Sequence, residues 1–379
     1  MNDTRKIATP PVAHGRFGSG PRAWLNRLAA HPGFQSFAAR MPGLARKSRR
    51  EGEEMFDLIA GFAKSQVLFA LVDLGILDRL SHGPMVATEA APDLSEKNAR
   101  LVLDGGCALG LLRLGRGGRY ALTTRGAALL GVPGLTSMIR HHAVMYRDMA
   151  DPSALLRGES RPELARFWPY VFGAGAAEDP DTARTYSELM ADTQRLVAED
   201  TLRMVSFKEA QEVLDVGGGT GAFLAALGAK EAAPRLHLFD LPAVAPGAET
   251  RFRTAGLSGR AAITTGSFRD EALPTGSDTL TLVRILYDHS DETVRGLLQK
   301  AYDALPPGGR IVISEPMTGG ARPSVPGDIY FAFYTLCMET GRARSQAEIA
   351  QLVRMAGFGR VETPRPRRAF VTSVVTAVK

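Results

Sequence analysis

The residues best placed to do chemistry stand in one glycine-rich run, Val-Leu-Asp-Val-Gly-Gly-Gly-Thr-Gly, which ends at Gly221. Within this run Asp215, Gly217, Gly219 and Gly221 alternate. Glycine has no Cβ, so such a turn can take positive φ and lets a ligand lie against the backbone. The helix that we expect to follow, Ala222 to Ala229, directs its N-terminal N–H groups towards that ligand. A glycine turn between a strand and a helix predicts a nucleotide site.

Two acidic residues narrow the choice of nucleotide. Asp215 lies two residues before the first glycine of the turn, where its carboxylate can receive an ammonium group. Asp240 ends the next apolar run, about where a carboxylate meets ribose hydroxyls. This pair fits S-adenosylmethionine, which has both an amino-acid end and a ribose. The glycine spacing alone does not exclude NAD as the ligand. The dinucleotide-binding pattern G-x-G-x-x-G permits alanine at its last position, and Ala222 occupies that position here. A tight turn without a ligand is the remaining alternative.

The elements that must position these residues follow from the alternation of apolar runs and helical segments after residue 211. The predicted strands are Glu212–Val216, Leu236–Phe239, Ala261–Thr265, Thr279–Ile285 and Arg310–Ser314. Helices between them predict an α/β fold with a doubly wound, Rossmann-like parallel sheet. Two further strands, Gly359–Glu362 and Ala369–Val378, follow one another without a crossover helix. The sheet should therefore end in a hairpin with an antiparallel strand.

The chain before the glycine turn is mainly helical. Residues 55–80 and 95–112 carry helical periodicity, and a hairpin with a glycine turn follows at 113–123. Helices followed by such a hairpin are typical of a winged helix, a fold that often binds DNA. The helix at 95–112 contains two basic and two acidic residues, so it lacks a basic recognition surface. This favours dimerisation or packing over nucleic-acid binding.

The positive charge is concentrated in the N-terminal segment. Residues 1–50 contain ten Lys/Arg and one acid, a charge of +9, whereas the whole chain carries +6 and the remainder therefore −3. Apolar residues from Trp24 to Leu44 recur at helical spacing among these arginines. Such a basic amphipathic segment can lie on an anionic membrane surface or pack on the protein body. Residues 1–20 are expected to be disordered.

Cysteine and histidine usage does not predict a metal site. Cys107 and Cys337 lie far apart, and the one adjacent histidine pair, His141-His142, is expected on a helix, where neighbours point in different directions. No apolar run reaches the ~18 residues that suggest a membrane span. A reducing, cytoplasmic location follows, with contact at the inner surface of the membrane through the N-terminal arm as an open possibility.

Several motifs together resemble the S-adenosylmethionine-dependent O-methyltransferases of the caffeic-acid and hydroxyindole type. They are the glycine run, Phe239-Asp-Leu-Pro242, Gly266-Ser-Phe268, Tyr287-Asp-His-Ser-Asp-Glu292, Pro307-Gly-Gly-Arg310 with Glu315, and Gly341-Arg-Ala-Arg-Ser345. Within the family, Ala165-Arg-Phe-Trp-Pro-Tyr170 and the Leu-Tyr-Asp-His run at 286–289 are most similar to the carotenoid hydroxyl methyltransferases of purple photosynthetic bacteria. The resemblance covers roughly residues 55–379 and implies a homodimer with a winged-helix dimerisation domain and linking helices at 55–180 and a methyltransferase domain at 181–379. The basic arm at 1–54, which the charge distribution indicates, precedes these domains.

The resemblance also implies roles for matching positions on the cofactor side. Gly217 and its neighbours would pass the methionine part of S-adenosylmethionine, and Asp240 would hold the ribose hydroxyls. The remaining cofactor contacts are apolar or small side chains: Leu241, Ser267 and Phe268 at the adenine, and Met190 at the methionine end.

The acceptor side departs from the family pattern. The family's general-base histidine is Tyr287 in this chain, and the family's tryptophan two residues later is His289. The first orienting glutamate of the family matches Glu315, whereas the second falls at Ala343. Tyr287 could orient a hydroxyl, and His289 has a suitable unperturbed pKa of about 6.5, so both are the candidate catalytic residues.

The acceptor itself is predicted to be apolar. The segment from Asp328 to Met338 is helical, with Phe331, Tyr334 and Met338 on one stripe that faces the acceptor in the family, although core packing explains the same stripe. We expect methylation of a hydroxyl of an acyclic carotenoid. Another apolar acceptor (a tetrapyrrole, a polyketide or a phenol) and a winged-helix regulator with a vestigial methyltransferase fold are the alternatives.

Overall fold

The computed structural model describes residues 22–167, 193–319 and 323–379. The chain divides between Leu68 and Phe69 into two compact units.

The first helices that the structure describes are α1 (Ala23–Ala29), α2 (Pro32–Arg40), α3 (Pro42–Ile59) and α4 (Gly61–Asp73), and two of them, α2 and α3, begin at prolines. Proline is favoured at the first position of a helix because it lacks an N–H that would be unpaired there. Among the described helices, none alone has the length and apolarity to cross a membrane; one bent pair, Gly43–Ile59 with Gly61–Asp73, passes by length and composition.

The predicted hairpin follows three helices, α5 (Ile76–Ser81), α6 (Ala87–Ala90) and α7 (Glu96–Ala108). Its strands β1 (Leu112–Leu114) and β2 (Tyr120–Leu122) pair antiparallel, which confirms this part of the winged-helix pattern. Helix α7 packs closely on the hairpin, since a Cβ at Gly106 would lie 2.7 Å from Leu112 Cδ1. The Tyr120 hydroxyl donates to Asp104 across the same contact at 2.7 Å.

Helical segments connect the hairpin to the sheet. They are α8 (Thr124–Gly131), α9 (Leu135–Asp148), α10 (Pro152–Leu156), a short 3-10 turn (Leu164–Phe167) and α11 (193–204). The predicted aromatic cluster after residue 167 and the first part of the predicted helix 182–206 lie outside the described residues.

The sheet has seven strands in the order β5-β4-β3-β6-β7-β9-β8. The strands are β3 (Glu212–Val216), β4 (Arg235–Asp240), β5 (Ala261–Thr265), β6 (Thr279–Val283), β7 (Arg310–Glu315), β8 (Gly359–Glu362) and β9 (Ser373–Val378). The first five pair in parallel, and β9 inserts antiparallel between β7 and β8. Both the doubly wound sheet and the closing antiparallel hairpin are therefore confirmed.

Helices cover both faces of this sheet. They are α12 (Ala222–Lys230), α13 (Ala245–Thr254), α14 (Asp291–Ala304), α15 (Ala332–Cys337), which a π-helical segment Val325–Phe331 precedes, and α16 (Gln346–Met355). Neighbouring residues of β3 belong to different cores: Val213 packs with Leu224, whereas Leu214 packs with Leu298. A strand buried on both faces reads as a continuous apolar run, which explains the sequence of β3.

Candidate active site

The strand order reverses at the pair β3 and β6, and this position locates the site. From β3 the chain moves outward to β4 and β5, whereas from β6 it moves the other way to β7. In doubly wound sheets such a switch point opens a crevice at the carboxyl ends of the two strands. The glycine turn follows β3, and the turn 286–288 follows β6, so both line this crevice.

The glycine turn is tight on one side and open on the other. Gly217 has φ +70°, and a Cβ there would lie 2.6 Å from Ile285 Cδ1, so only glycine fits between the two turns. Gly219 has φ +62°, yet a Cβ there would meet nothing within 4 Å. The backbone at Gly219 is thus free to be approached by a ligand, as the glycine pattern predicts.

Asp215 lies completely buried beneath this turn. Its Oδ1 accepts the Thr281 hydroxyl at 2.6 Å, and its Oδ2 has no hydrogen-bond partner among the described residues. Burial raises the pKa of this carboxyl to about 7, against the lowering effect of the Thr281 hydrogen bond. An unpartnered buried carboxylate oxygen fits a cation such as an ammonium group, and this role of Asp215 stays a prediction.

Asp240 connects the second strand to the glycine turn. Its Oδ2 accepts the Gly219 N–H and its Oδ1 accepts the Leu241 N–H, each at 2.7 Å. Burial raises the pKa of Asp240 to about 6, while these two hydrogen bonds act in the opposite direction. The structure therefore brings Asp240, Leu241 and Gly219 together at the crevice, where the sequence predicts the ribose and adenine.

The loop after β5 forms a further wall beside the glycine turn. The ring of Phe268 would lie 3.8 Å from a Cβ at Gly217, and Ser267 precedes it in the same loop. Lys300 of α14 holds this loop by donating to the carbonyls of Phe268, Arg269 and Glu271 at 2.7–2.9 Å. Phe268 thus borders the glycine turn, and the adenine contacts of Ser267 and Phe268 stay predictions, whereas Met190 lies outside the described residues.

His289 is poorly suited to the predicted role of a base. Its Nδ1 accepts from Arg269 at 3.0 Å, and its ring meets Phe268 edge to face at 5.2 Å. Burial, and then the charges of Arg269 and Arg344, lower the pKa of His289 to about 3. A ring nitrogen that already accepts from an arginine cannot accept a substrate proton, so the geometry disfavours His289 as the general base.

Tyr287 is buried in the 3-10 turn Leu286–Asp288. Burial raises the pKa of its phenol, and the neighbouring charge of Asp288 raises it further. The phenol therefore stays protonated at neutral pH and can orient a group by hydrogen bonding, but it cannot serve as a base. Side-chain hydrogen bonds join this phenol to Asp288 and Arg284, and the orienting role predicted from the sequence stays a prediction.

Residues from two other elements fix the backbone of this turn. Glu315, at the end of β7, accepts the N–H groups of Leu286 and Tyr287 at 2.9 and 3.2 Å. Arg344 is completely buried and donates to the carbonyls of Leu286 and His289 at 2.8 and 2.9 Å. The motif resemblance identified Glu315, but the role of Arg344 was missed, although it lies in the quoted run 341–345.

Strain accumulates at the same turn. Arg284, which directly follows β6, has φ +61°, a conformation that non-glycine residues seldom adopt. Asp288 is buried with Oδ1 unpartnered among the described residues, and burial raises the pKa of its carboxyl well above the ordinary value. Strained backbone and unpaired buried groups concentrate at functional sites, which supports the assignment of this crevice as the active site.

The predicted acceptor stripe divides between core and site. Tyr334 and Met338 belong to a buried apolar cluster with Leu155 and Leu164, so these two are core residues. Phe331 is half-buried, and its neighbour Tyr330 packs against it at 5.0 Å. In the part of the chain that the structure describes, no group of three or more His, Cys, Asp or Glu side chains could hold a metal ion.

The comparisons with known proteins agree with this geometry. A family model for the O-methyltransferase domain matches residues 146–359, and one for the O-methyltransferase dimerisation domain matches 56–131. The chain is 53% identical over 374 residues to demethylspheroidene O-methyltransferase of Cereibacter sphaeroides, covering 98% of both chains. It is 46% identical to the enzyme of the same name from Rhodobacter capsulatus, covering 97% of this chain and 93% of that one. The structure of human N-acetylserotonin methyltransferase with SAM is similar in fold, with a TM-score of 0.76, 23% identity, and coverage of 87% of this chain and 97% of that chain.

Proposed function

We propose that this chain, which belongs to the S-adenosylmethionine-dependent O-methyltransferase family, methylates a hydroxyl of an acyclic carotenoid. Its identity of 53% and 46%, over nearly the full length, to two demethylspheroidene O-methyltransferases carries this proposal. The predictions of an O-methyltransferase and of S-adenosylmethionine as methyl donor are confirmed.

The residues at the crevice fit the donor that the family uses. S-adenosylmethionine supplies a methyl group on a sulfonium, together with an ammonium group and ribose hydroxyls. Among the described residues Asp215 Oδ2 is a buried acceptor without a partner, which suits the ammonium group, and the contact of Asp240 with the glycine turn supports its predicted ribose role. Alignment of donor and acceptor can supply several kcal/mol of the barrier reduction, about 7–11 in favourable cases.

The acceptor side favours an alcohol over a phenol. Methylation of a phenol uses a general base with a pKa near neutrality. This chain lacks the family's histidine at that position, because the buried phenol of Tyr287 replaces it. An alcohol loses its proton late, as the C–O bond forms, and needs a weaker base. A tetrapyrrole, polyketide or phenol acceptor remains the competing activity, and the family membership argues against a regulator with a vestigial fold.

Turnover with labelled S-adenosylmethionine tests the acceptor class. The purified protein should methylate acyclic carotenoids that carry a tertiary hydroxyl, with the labelled ether identified by mass spectrometry. A matched panel contains phenols of similar size and the same carotenoids without a hydroxyl, which should give no product. Turnover on phenols with none on the hydroxylated carotenoids would refute the proposal.

The dimerisation domain supports a homodimer. Four large apolar side chains at its beginning, and Met55 directly before it, are more than half exposed in the single chain; the four are Phe56, Leu58, Ile59 and Phe62. Contiguous exposed apolar surface of this kind is normally covered by another protein surface. A second copy of the chain is the partner that the dimerisation domain implies.

We propose that the enzyme is cytoplasmic and that its N-terminal arm contacts the inner membrane surface through helices α1 and α2. Trp24, Leu25 and Phe37 are 57%, 46% and 56% exposed. Arg22, Arg27 and Arg40 are exposed in the same segment. An exposed apolar and basic surface suits anionic lipid, where each basic residue adds about 1 kcal/mol.

Flotation with vesicles tests this contact. The full chain should bind vesicles of anionic phosphatidylglycerol more strongly than vesicles of neutral phosphatidylcholine, and salt should weaken the binding. The double variant Trp24→Ser, Phe37→Ser should lose most of the binding while keeping its solution activity. Equal binding of the variant and the parent protein would rule out the arm as the contact.

A further inference from the structure

We propose that Tyr330 and His142 form the proton path for the acceptor hydroxyl. The Tyr330 oxygen takes the hydroxyl proton while its own proton passes to Nε2 of His142. The new C–O bond forms as the methyl–sulfur bond breaks, so the oxygen loses one proton and the imidazole gains one. This inference deepens the proposed function and rests on it, since it assigns the proton transfer of the same methylation.

Two histidine–tyrosine pairs connect α9 with the segment 325–337. His142 Nε2 lies 2.8 Å from the Tyr330 oxygen, with the two rings edge to face at 5.5 Å. His141 Nε2 lies 3.2 Å from the Tyr334 oxygen. The adjacent histidines therefore reach two tyrosines that are one helical turn apart, and the two phenol rings stack at 6.1 Å.

The two pairs differ in their surroundings. Tyr334 is 4% exposed and packs in the apolar cluster with Leu155 and Leu164, so its hydrogen bond to His141 is part of the core. Tyr330 is half-buried and retains access to solvent. Of the two phenols, Tyr330 is the one that a bound acceptor can reach.

Electrostatics place Tyr330 beside the turn that follows β6. Burial raises the pKa of Tyr330, and the guanidinium of Arg284 opposes this effect, as it does for the pKa of Tyr287. Arg284 therefore lies near both phenols, which links the His142 pair to the switch point of the sheet. Ile285, the next residue, packs against Gly217 of the glycine turn.

The backbone near Tyr330 is irregular in a way that is common at functional sites. Residues Val325–Phe331 form a π-helix, a rare conformation that is frequently found at such sites. Ser324 caps this segment by accepting the Gly327 N–H at 3.3 Å, and Asp328 accepts the Ser324 N–H at 2.6 Å. The π-turn shifts the register of the helix, and Tyr330 lies within it.

The base strength of His142 suits an alcohol acceptor. Burial, and then the charge of His141, lower the pKa of His142 to about 4, so the ring is neutral at physiological pH and can accept a proton. An alcohol oxygen that has begun to bond to the methyl carbon is strongly acidic, so a weak base can remove its proton. The positive charge lost at sulfur is replaced by the charge gained at imidazole, which keeps the net charge of the site constant.

The groups around His142 come from two elements. Tyr330 faces its Nε2, and the ring of Tyr146, one turn along α9, lies 6.2 Å away. His141 adds a repulsive charge when protonated, and the charge of Arg284 acts on Tyr330. These neighbours keep His142 uncharged before the reaction, as a proton acceptor requires.

The test compares kcat, cofactor binding and chemical rescue in matched variants. His142→Gln and Tyr330→Phe should each lower kcat by about 10²-fold or more, while the Kd for S-adenosylmethionine stays within twofold of wild type. Tyr334→Phe, which removes the corresponding phenol oxygen from the core pair, should keep the wild-type kcat. Added imidazole should restore part of the kcat of His142→Gly and leave Tyr330→Phe unchanged.

Two results would overturn the proposal. One is a wild-type kcat in His142→Gln. The other is a loss in His142→Gln that equals the loss in Tyr334→Phe, together with a His142→Gly variant that imidazole does not restore, because this would indicate a structural role. All variants are measured on an acceptor that the wild type methylates. If the wild type does not methylate carotenoids, only the acceptor assignment is refuted. The same variants are then compared on whichever panel compound the wild type methylates.

Discussion

The carboxylate of Asp240 joins two parts of the chain that are 21 residues apart, because it accepts the N–H of Gly219 at 2.7 Å. It also accepts the N–H of Leu241 at the same distance. Both hydrogen bonds favour the ionised form, and burial opposes them. One side chain therefore fixes the glycine turn and presents its remaining lone pairs to the crevice.

The variant Asp240→Asn should weaken binding of S-adenosylmethionine. The amide would turn an N–H donor towards a backbone N–H and would remove the charge that favours ribose hydroxyls. Hydrogen bonds to charged groups contribute about 1.5–3 kcal/mol, which corresponds to roughly 10–100-fold in Kd by calorimetry. Glu249→Gln removes an exposed carboxylate from α13 and should leave Kd unchanged. An unaltered Kd in Asp240→Asn would contradict the ribose assignment.

The turn 286–289 is the element that the rest of the acceptor side depends on. Glu315 holds its N–H groups and Arg344 holds its carbonyls, and both of these side chains are completely buried. Gly341 closes the contact, since a Cβ there would lie 2.2 Å from the Tyr287 carbonyl oxygen. Two segments far from this turn in sequence, the end of β7 and residues 341–344, thus determine where Tyr287 stands.

The variant Gly341→Ala should lower kcat more than it affects cofactor affinity. Gly341 has φ +70°, so alanine is strained, and its Cβ would also displace the 287–289 backbone. Gly308→Ala is a matched control, because Gly308 has φ +79° but a Cβ there would meet nothing within 4 Å. Both variants should lose stability, by about 1 kcal/mol for Gly308→Ala in thermal unfolding. Only Gly341→Ala should lose activity, and equal kcat values in the two variants would argue against a positioning role.

At the scale of the whole molecule, the dimerisation domain determines the assembly. Phe56 and Phe62 are 69% and 74% exposed in the single chain and lie at the start of that domain. Exposed aromatic side chains contribute strongly to interfaces when a partner covers them. We therefore expect the exposed surface of α3 and α4 to be buried in the homodimer.

The double variant Phe56→Asp, Phe62→Asp should shift the protein from dimer to monomer, because burying two unpaired carboxylates in an interface is strongly unfavourable. Light scattering after size-exclusion chromatography measures the mass directly. Met355→Asp, which replaces a residue of α16 that is 66% exposed and outside the matched dimerisation domain, should remain dimeric. A dimeric double variant would place the interface elsewhere.

The sequence by itself determined the donor side, because its signals are local. Strand β3, the glycine turn and α12 are consecutive, and the strands of the parallel sheet follow as separate apolar runs, so periodicity and glycine spacing were sufficient. The family motifs added Glu315 and the substitution of Tyr287 in the same way. The antiparallel end of the sheet was also predicted, since two strands without a crossover helix leave little other choice.

The acceptor side was decided only by the tertiary structure, because its parts come from α9, the turn after β6 and the segment 325–337. His141 and His142 are adjacent, so their side chains were expected to point in different directions. Both rings nevertheless form hydrogen bonds with tyrosines of one segment, Tyr334 and Tyr330, which are one helical turn apart. His289 has a suitable pKa in isolation, and only the packing of Arg269 and Phe268 around it removes its basicity. Burial and long-range contacts set the protonation of these groups, and neither is encoded in local spacing.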